Sequence, residues 1–413
     1  MSIPSSLDPV IPVSPDQGIP LRDLPPALRG LLRVAAHLRF GRLDLGLPDG
    51  RTLRLQGVEP GPEAVLVLHA PGAVARRLAF GGDVGFAEGY LAGEWDSPDL
   101  TGLIELFAVN RAAVEAALPK GIVARLVGLL RTVVNRNTRA RARRNAAAHY
   151  DLGNAFYRAW LDPSMTYSAA IFGPGEDLAA AQARKYRALI DATGIGPGHH
   201  VLEIGCGWGG FAAFAAREIG CRVTAVTVST EQALFASERI AAEGLSDRVA
   251  IRREDYRDVR GTFDAVVAIE MIEAVGEAHW PAFFAALRDR LAPGGRAGLQ
   301  VITVRDDLFP AYRREHGFIR RMVFPGGMLP SPAVLRALEA GAGLERRTER
   351  VFGADYARTI VAWRERFREA WPEIAGGRFD ERFRRMWEYY LAYCEAGFRT
   401  GTIDVRQIVL EKA

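Results

Sequence analysis

The sequence predicts an α/β protein: a doubly wound parallel sheet in its larger part, with a small α+β domain ahead of it. Three observations carry that reading. From about residue 179 onward, strand-like and helix-like segments alternate, the pattern of successive βα units. The strand-like segments are near-continuous runs of Val, Ala and Ile, as expected of strands covered on both faces. Between the first of these strands and the following helix stands "VLEIGCGWGGFA", where Gly205, Gly207 and Gly210 complete G-x-G-x-x-G.

The elements follow in order. Residues 1–20, rich in Pro and Ser, read as a flexible tail. In "GRLDLGLPDGRTLRLQG" the turn signal "PDG" separates two alternating runs, which predicts a hairpin. "AVLVLHAPGAVARRLAF" predicts a strand and then a helix, and "SPDL" marks the start of a further amphipathic helix. Residues 21–118 thus form an accessory α+β domain, and an Arg-rich connector, 119–146, separates it from a domain over 147–413. Within that domain a helix over "LAAAQARKYRALIDATG" ends in Gly. Strands follow at "HVLEIG", "RVTAVTVS", "VAIRRED", "FDAVVAIEM" and "RAGLQVITV", with helices between most of them. Beyond 353 come two amphipathic helices and a closing strand, "TIDVRQIVLEK".

Composition narrows the class. The 413 residues are 49% hydrophobic and 25% charged, with a net charge of +4, ordinary values for a globular chain of about two or three domains. Three Cys without paired spacing argue against a disulfide framework or a zinc site, and a reducing cytosol fits best. No metal is expected. The N-terminus lacks a basic start and an apolar run, and no apolar stretch of about 18 residues occurs. Charge is uneven: "RTVVNRNTRARARRN" holds six Arg and no acid. That run reads either as a solvated face or as a site for a phosphate-rich partner.

The glycine loop alone does not choose among dinucleotide and S-adenosylmethionine sites. Two features do. Glu203 lies inside the strand, two residues before the first Gly, where a carboxylate can receive the ammonium of an amino-acid moiety. The ribose-binding acid of dinucleotide folds is missing after the second strand, which ends "VTAVTVSTEQ". With "EDYRDV" and the "LAPGG" turn, residues 195–305 resemble the class I S-adenosylmethionine-dependent methyltransferases, whose sheet is Rossmann-like. The region after the fourth strand, "AIEMIEAVGEAHW", has neither an "NPPY"-like clamp nor a nucleophilic Cys. Cys206 reads as a small filler, and an RNA acceptor would rest on the Arg-rich connector alone.

The acceptor is suggested by "HYDLGNAFYRAWLDPSMTYSAAIF" (149–172), whose aromatic, Pro-Ser and small-residue content is wrong for a surface linker. Together with "EIGCGWGG", "TVSTEQ", "IEAVG", "FPGGMLPS" and "FGADYARTIVAWRERF", it resembles the cyclopropane-fatty-acyl-phospholipid synthases and their mycolic acid relatives. That resemblance runs from about residue 28 to the end. It implies methyl transfer from S-adenosylmethionine to a cis double bond of a phospholipid acyl chain, through a carbocation. By matching positions, Tyr167 and Ser168 close over the cofactor. Gly205 and Gly207 line its methionine end, Thr227 and Gln232 its ribose, and Asp255 and Tyr256 its adenine. Glu273 and Tyr356 stand at the reacting centre. Each has a plainer alternative: Tyr356 as a core tyrosine, Glu273 as a cap. His149 reads equally as a structural residue or as part of the lid.

The chain departs from the cyclopropane-forming members at their bicarbonate pocket. Ala169 stands at the Cys position, Ile302 at the His position, and Ala274 replaces the His of "EHVG". Backbone N–H groups there remain able to bind an anion, but an apolar Ile offers none of the solvation an ion needs. The expected product is therefore a methyl-branched or methylated unsaturated chain, a furan or 10-methyl precursor, at least as much as a cyclopropane. A desaturase or oxidoreductase partner is compatible with that product, and so is a homodimer. "FPAYRREHGFIRRMVFPGGMLPS" (309–331) interleaves Arg with apolar residues, the pattern of an interfacial helix on an anionic membrane or of a helix whose apolar side packs on its own sheet. The expected location is cytoplasmic, peripheral on the inner membrane face, with no nucleic acid bound. A non-catalytic lipid-binding protein is the rival reading, disfavoured by the intact cofactor loop.

Overall fold

The computed structural model describes residues 10–13, 24, 26–117, 152–315 and 317–412. The Arg-rich connector and His149 lie outside the described residues. The chain forms two compact units: residues 1–135 with 375–400, and residues 136–374 with 401–413.

The first unit is built on a five-stranded sheet in the order β1-β3-β2-β4-β5. Its strands are β1 (Val10–Val13), β2 (Phe40–Gly46), β3 (Thr52–Gln56), β4 (Glu59–Leu68) and β5 (Trp95–Asp96). β2 and β3 form the expected antiparallel hairpin around Pro48-Asp49-Gly50. Part of the expected flexible tail is ordered instead: β1 pairs in parallel with β3, Val10 opposite Thr52. Pro12 is tolerated there because β1 is an edge strand, where a missing N–H need not break a ladder. The helical run Pro71–Leu91, kinked at Gly82 where the backbone is non-helical, takes in "PGAVARRLAF" before the kink and "VGFAEGYL" after it.

One element of this unit comes from far along the chain. The helix Glu381–Arg399 packs here, although the sequence reading placed it in a domain spanning 147–413. Its Arg385 donates to Asp96 at 2.6 Å and lies 4.0 Å from the Tyr90 ring centroid. Its Glu395, fully buried, accepts from Thr101 at 3.0 Å. Trp95 stacks on Phe86 beside it.

The second unit is the doubly wound, Rossmann-like sheet. Its strands are β6 (His200–Ile204), β7 (Arg222–Thr227), β8 (Val249–Arg253), β9 (Phe263–Ile269), β10 (Leu291–Val304), β11 (Leu344–Val351) and β12 (Ile403–Lys412). The order is β11-β12-β10-β9-β6-β7-β8. β6 to β10 run parallel, and β12 is antiparallel to both its neighbours. Side-chain alternation explains the continuous apolar runs: Val201, Val223 and Ala265 belong to one buried cluster, Leu202, Val226 and Val266 to another. Both faces are therefore covered, by helices such as Leu178–Thr193 and Gly210–Glu218 in one cluster and Trp280–Arg290 in the other.

Chain order reverses at β6, which lies between β7 and β9. The crevice outside the carboxyl ends of strands at such a reversal is where open α/β sheets bind ligands. The glycine loop after β6 and Glu270 after β9 both open there.

The expected interfacial helix over 309–331 is corrected. Only Phe309–Arg314 is α-helical, and a separate π-helical turn covers Ile319–Val323. Phe318 and Val323 are buried in the unit itself, so they present no apolar side outward, while Arg313, Arg314 and Arg321 are exposed.

Candidate active site

The cofactor loop begins where β6 ends. Gly205 has φ +82° and donates its N–H to the Val226 carbonyl. A Cβ there would stand 2.7 Å from Met271 Cγ, so both backbone angle and space demand glycine. Gly207 has φ +52° and faces open space. Glu203, 3% exposed, has an Oε2 with no hydrogen-bond partner among the described residues. Burial pushes its carboxyl up to about 8, with Lys185 opposing. An unpaired carboxyl in a dry cleft is costly unless a cation comes to it. Thr227 donates to Gln232 Oε1 at 2.9 Å, and Ser229 caps the next helix through the Gln232 N–H. Asp255 is gripped by Arg257 at 2.6 and 2.8 Å, and the Tyr256 ring meets Phe283 edge-on.

The 152–172 segment lies against this loop. Trp208 of the loop donates to Asn154 at 2.8 Å. The helix Asn154–Trp160 leads into a turn held by Asp162, whose carboxylate accepts from the N–H groups of Ser164 and Thr166. Two guanidinium groups clip this turn from outside: Arg239 donates to the carbonyls of Pro163 and Ser164, Arg366 to those of Trp160 and Leu161. Tyr167 sits among Tyr157, Trp160 and Trp363, with ring centroids 5.1–5.6 Å away. Ser168 is buried, and Ala169 and Ala170 are fully so. The small residues of "SAAIF" are small because protein packs on them from every side.

The crevice beside Glu273 and Tyr356 contains a buried carboxyl that the sequence reading passed over. Glu270, one residue past β9, is non-glycine yet has φ +50°. A residue with a Cβ is uncommon in that region, and among the described residues only Met165 shares it. Its Oε1 accepts from the Ala169 N–H at 2.8 Å and from Gln300 Nε2 at 2.7 Å, and its Oε2 accepts from the Tyr356 hydroxyl at 2.6 Å. Glu273 takes the other backbone group in question, the Ile302 N–H, at 2.6 Å, and its Oε2 is buried without a partner among the described residues. Thus the N–H groups of Ala169 and Ile302, expected to be available to an added anion, are already occupied by the protein's own carboxylates. Tyr356 and Glu273, expected together, are each joined to this centre, but Tyr356 bonds Glu270 rather than Glu273.

The two carboxyls are not equivalent. Burial, and then the neighbouring Glu270, push Glu273 up to about 8, which favours its protonated form. Burial also raises Glu270, but Tyr356, the Ala169 N–H, Gln300 and Lys185 all oppose. With three donors aimed at it, Glu270 is the one built to hold the negative charge. The signal for Glu270 was present as the unusual "AIEMIE", but its partners lie 30 to 101 positions away, beyond the reach of local pattern.

Comparison with known proteins agrees with this architecture. Residues 137–408 match the family model described as mycolic acid cyclopropane synthetase. A tuberculostearic acid methyltransferase of Mycobacterium tuberculosis is 41% identical over 395 residues, 93% of this chain and 90% of that protein. The cyclopropane-fatty-acyl-phospholipid synthase of Escherichia coli K12 is 36% identical over 340 residues, 82% of this chain and 85% of that one. A crystal structure of a mycolic acid cyclopropane synthase complexed with SAH and CTAB superposes with TM-score 0.62 at 27% identity, covering 65% of this chain and 98% of that one. The chain belongs to the mycolic acid cyclopropane synthetase family and is an S-adenosylmethionine-dependent methyltransferase.

Proposed function

We propose that this enzyme methylates a carbon of the cis double bond in an unsaturated phospholipid acyl chain and releases a methylated alkene, the precursor of a methyl branch, rather than a cyclopropane. The observation that carries this reading is the Glu270 carboxylate, seated on the Ala169 N–H, Gln300 and Tyr356. It fills the role that the family resemblance gives to bicarbonate, with a base tethered to the backbone in place of an exchangeable ion. The 41% identity to a protein named for tuberculostearic acid supports the same reading.

The residues present fit S-adenosylmethionine. Glu203 offers an unpartnered buried carboxyl to its ammonium, and Gly207 leaves open space over the loop. Thr227 and Gln232 stand where its ribose is expected, Asp255 and Tyr256 on its adenine side, Tyr167 and Ser168 over it. When bound, it supplies an electrophilic methyl group.

The protein's own residues do the rest. An alkene is a weak nucleophile, so positioning in a dry channel lowers the barrier. Attack by the alkene would form a carbon–carbon bond to the methyl as its bond to sulfur breaks and a neutral thioether leaves, placing the positive charge on the neighbouring chain carbon. The aromatic faces of Tyr167 and Trp363 suit that charge. Glu273, protonated, adds no second anion that would trap the cation as an ester. Glu270 then takes a proton from a chain carbon and the double bond re-forms. A reductase, a separate activity, is the class of reaction that would turn this product into a saturated branch. The enzyme works at the inner face of the cytoplasmic membrane, where Arg313, Arg314 and Arg321 meet anionic head groups.

The test is incubation with S-adenosylmethionine and monounsaturated phospholipid vesicles, followed by mass spectrometry of the fatty-acid methyl esters. The expected product is one methylene unit heavier and still reducible over a hydrogenation catalyst to a methyl-branched chain. A clean cyclopropane product overturns the branched reading. Absence of product on monoenes, with turnover on dienes, overturns the proposed acceptor.

A further inference from the structure

One buried charge has no part in the chemistry above. Lys185 lies in the middle of the helix Leu178–Thr193 and is fully buried. Its Nζ donates to Ser168 Oγ at 2.7 Å and stands 4.4 Å from the Tyr186 ring centroid. Among the described residues no carboxylate pairs with it directly, so the ammonium has one neutral hydroxyl and one ring face for its lost hydration. That is an expensive arrangement for a merely structural side chain.

Its surroundings give it a purpose. The same helix grips Ser168 twice, because Gln182 Nε2 donates to the Ser168 carbonyl at 2.9 Å. The next residue, Ala169, is the one whose N–H meets Glu270 and whose carbonyl accepts from Gln300. Gln407 of β12 braces the far side, donating to both the Lys185 carbonyl and Gln300 Oε1 at 3.1 Å. A single peptide unit therefore joins the ammonium to the carboxylate.

We propose that Lys185 is the positioning residue and counter-charge of the reacting centre: it holds Ser168–Ala169 so that the Ala169 N–H points at Glu270, and its charge favours the ionised form of that carboxylate. This rests on the reading of Glu270 as the base. The acidic groups whose charges act on Lys185 are Glu270, Asp162 and Glu203, and burial brings its own ammonium down to about 8. Asp162 is committed to Ser164 and Thr166, and Glu203 faces the cofactor loop. Facing Glu270 are Tyr356, Gln300, Glu273 and Lys185. Removing the one cation from this set leaves only carboxyls, so the ionised form of Glu270 is disfavoured and its protonation moves to higher pH.

The experiment measures kcat against pH, and S-adenosylmethionine affinity by calorimetry, for the wild type, Lys185→Met, Lys185→Arg, Ser168→Ala and Glu270→Gln. Lys185→Met is expected to move the acid limb up by about one pH unit or more and to lower kcat at neutral pH by about tenfold, with cofactor affinity falling less than kcat. Lys185→Arg restores the limb, and Ser168→Ala moves it the same way by a smaller amount. An acid limb unmoved in Lys185→Met, or in Ser168→Ala if the Met variant does not fold, overturns the proposal. Glu270→Gln with wild-type kcat and limb overturns the underlying reading instead. An inactive Glu270→Gln beside an unmoved Lys185→Met limb overturns the role of Lys185 alone.

Discussion

The two halves of the crevice are made differently. The proposed cofactor half has its methionine end on one contiguous segment, Glu203, Gly205 and Gly207 within five residues of one another at the end of β6, while Thr227, Gln232, Asp255 and Tyr256 lie at or after the ends of the next two strands. The reacting half is assembled from four separate places: the 168–169 peptide, Glu270 after β9, Gln300 and Ile302 on β10, and Tyr356 in the helix Gly353–Ile374. At the glycine loop the backbone can come close to a ligand, beside the one buried carboxyl of Glu203. In the reacting half, backbone N–H groups are spent on the protein's own carboxylates, and the side chains are the device.

That contrast is most sharply tested at Gly205. Gly205→Val places carbon atoms against Met271 and forces a β-branched residue to φ +82°, so S-adenosylmethionine affinity by calorimetry should fall by about a hundredfold or more. Retained binding would break the assignment of the whole first half. Glu270→Gln, by contrast, should lower turnover by about a hundredfold or more while cofactor affinity stays within about threefold. Equal loss of both would erase the distinction between the halves.

Tyr356→Phe is the next step down. Losing the hydroxyl donor raises the Glu270 carboxyl further, since that donor now lowers it. The base stays protonated to higher pH, so the acid limb of kcat should move up and activity at neutral pH should fall by about tenfold.

A smaller effect is thermodynamic and is read at Glu203. Glu203, raised in the folded state to about 8 from an ordinary value of 4.5, binds more protons folded than unfolded between those values. Its contribution to stability is present below about 4.5 and is lost as pH rises through about 8. The cofactor-free enzyme should therefore melt lower at pH 8.5 than at pH 5.5, and Glu203→Gln should shrink that drop by roughly a few degrees. S-adenosylmethionine, bringing an ammonium, should do the same in the wild type. Smallest of all, Arg313→Ala should weaken binding to anionic vesicles by about fivefold at low salt, and the difference should vanish at high salt.

These halves were not equally legible from the amino-acid order. Alternating βα segments, the hairpin at Pro48-Asp49-Gly50 and the glycine loop are set by short-range rules, and all are found in the structure. The reacting centre is a matter of contacts such as Ala169 to Glu270, which no periodicity encodes. Motif matching drew attention to Glu273 and Tyr356, but it passed over Glu270, three residues from Glu273. Two local expectations differ from the structure for related reasons. Val10–Val13 had too few residues to announce a strand without knowledge of its partner β3. The stretch 309–331 carries Phe318, Val323 and Met328 as core, a fate that amphipathic spacing cannot tell from a membrane face.

The helix Glu381–Arg399 has a consequence for anyone who would take this molecule apart. The chain leaves the sheet unit after residue 374, contributes that helix to the first unit, and returns for β12. No single cut separates the two. A fragment beginning after the connector would carry Trp387, Tyr389 and Leu391, all buried in the full chain, with their covering elements among residues 1–135 removed. Such a fragment should precipitate or recruit chaperones. A catalytic fragment would need those residues replaced, or the excursion cut short by a loop from 374 to 401.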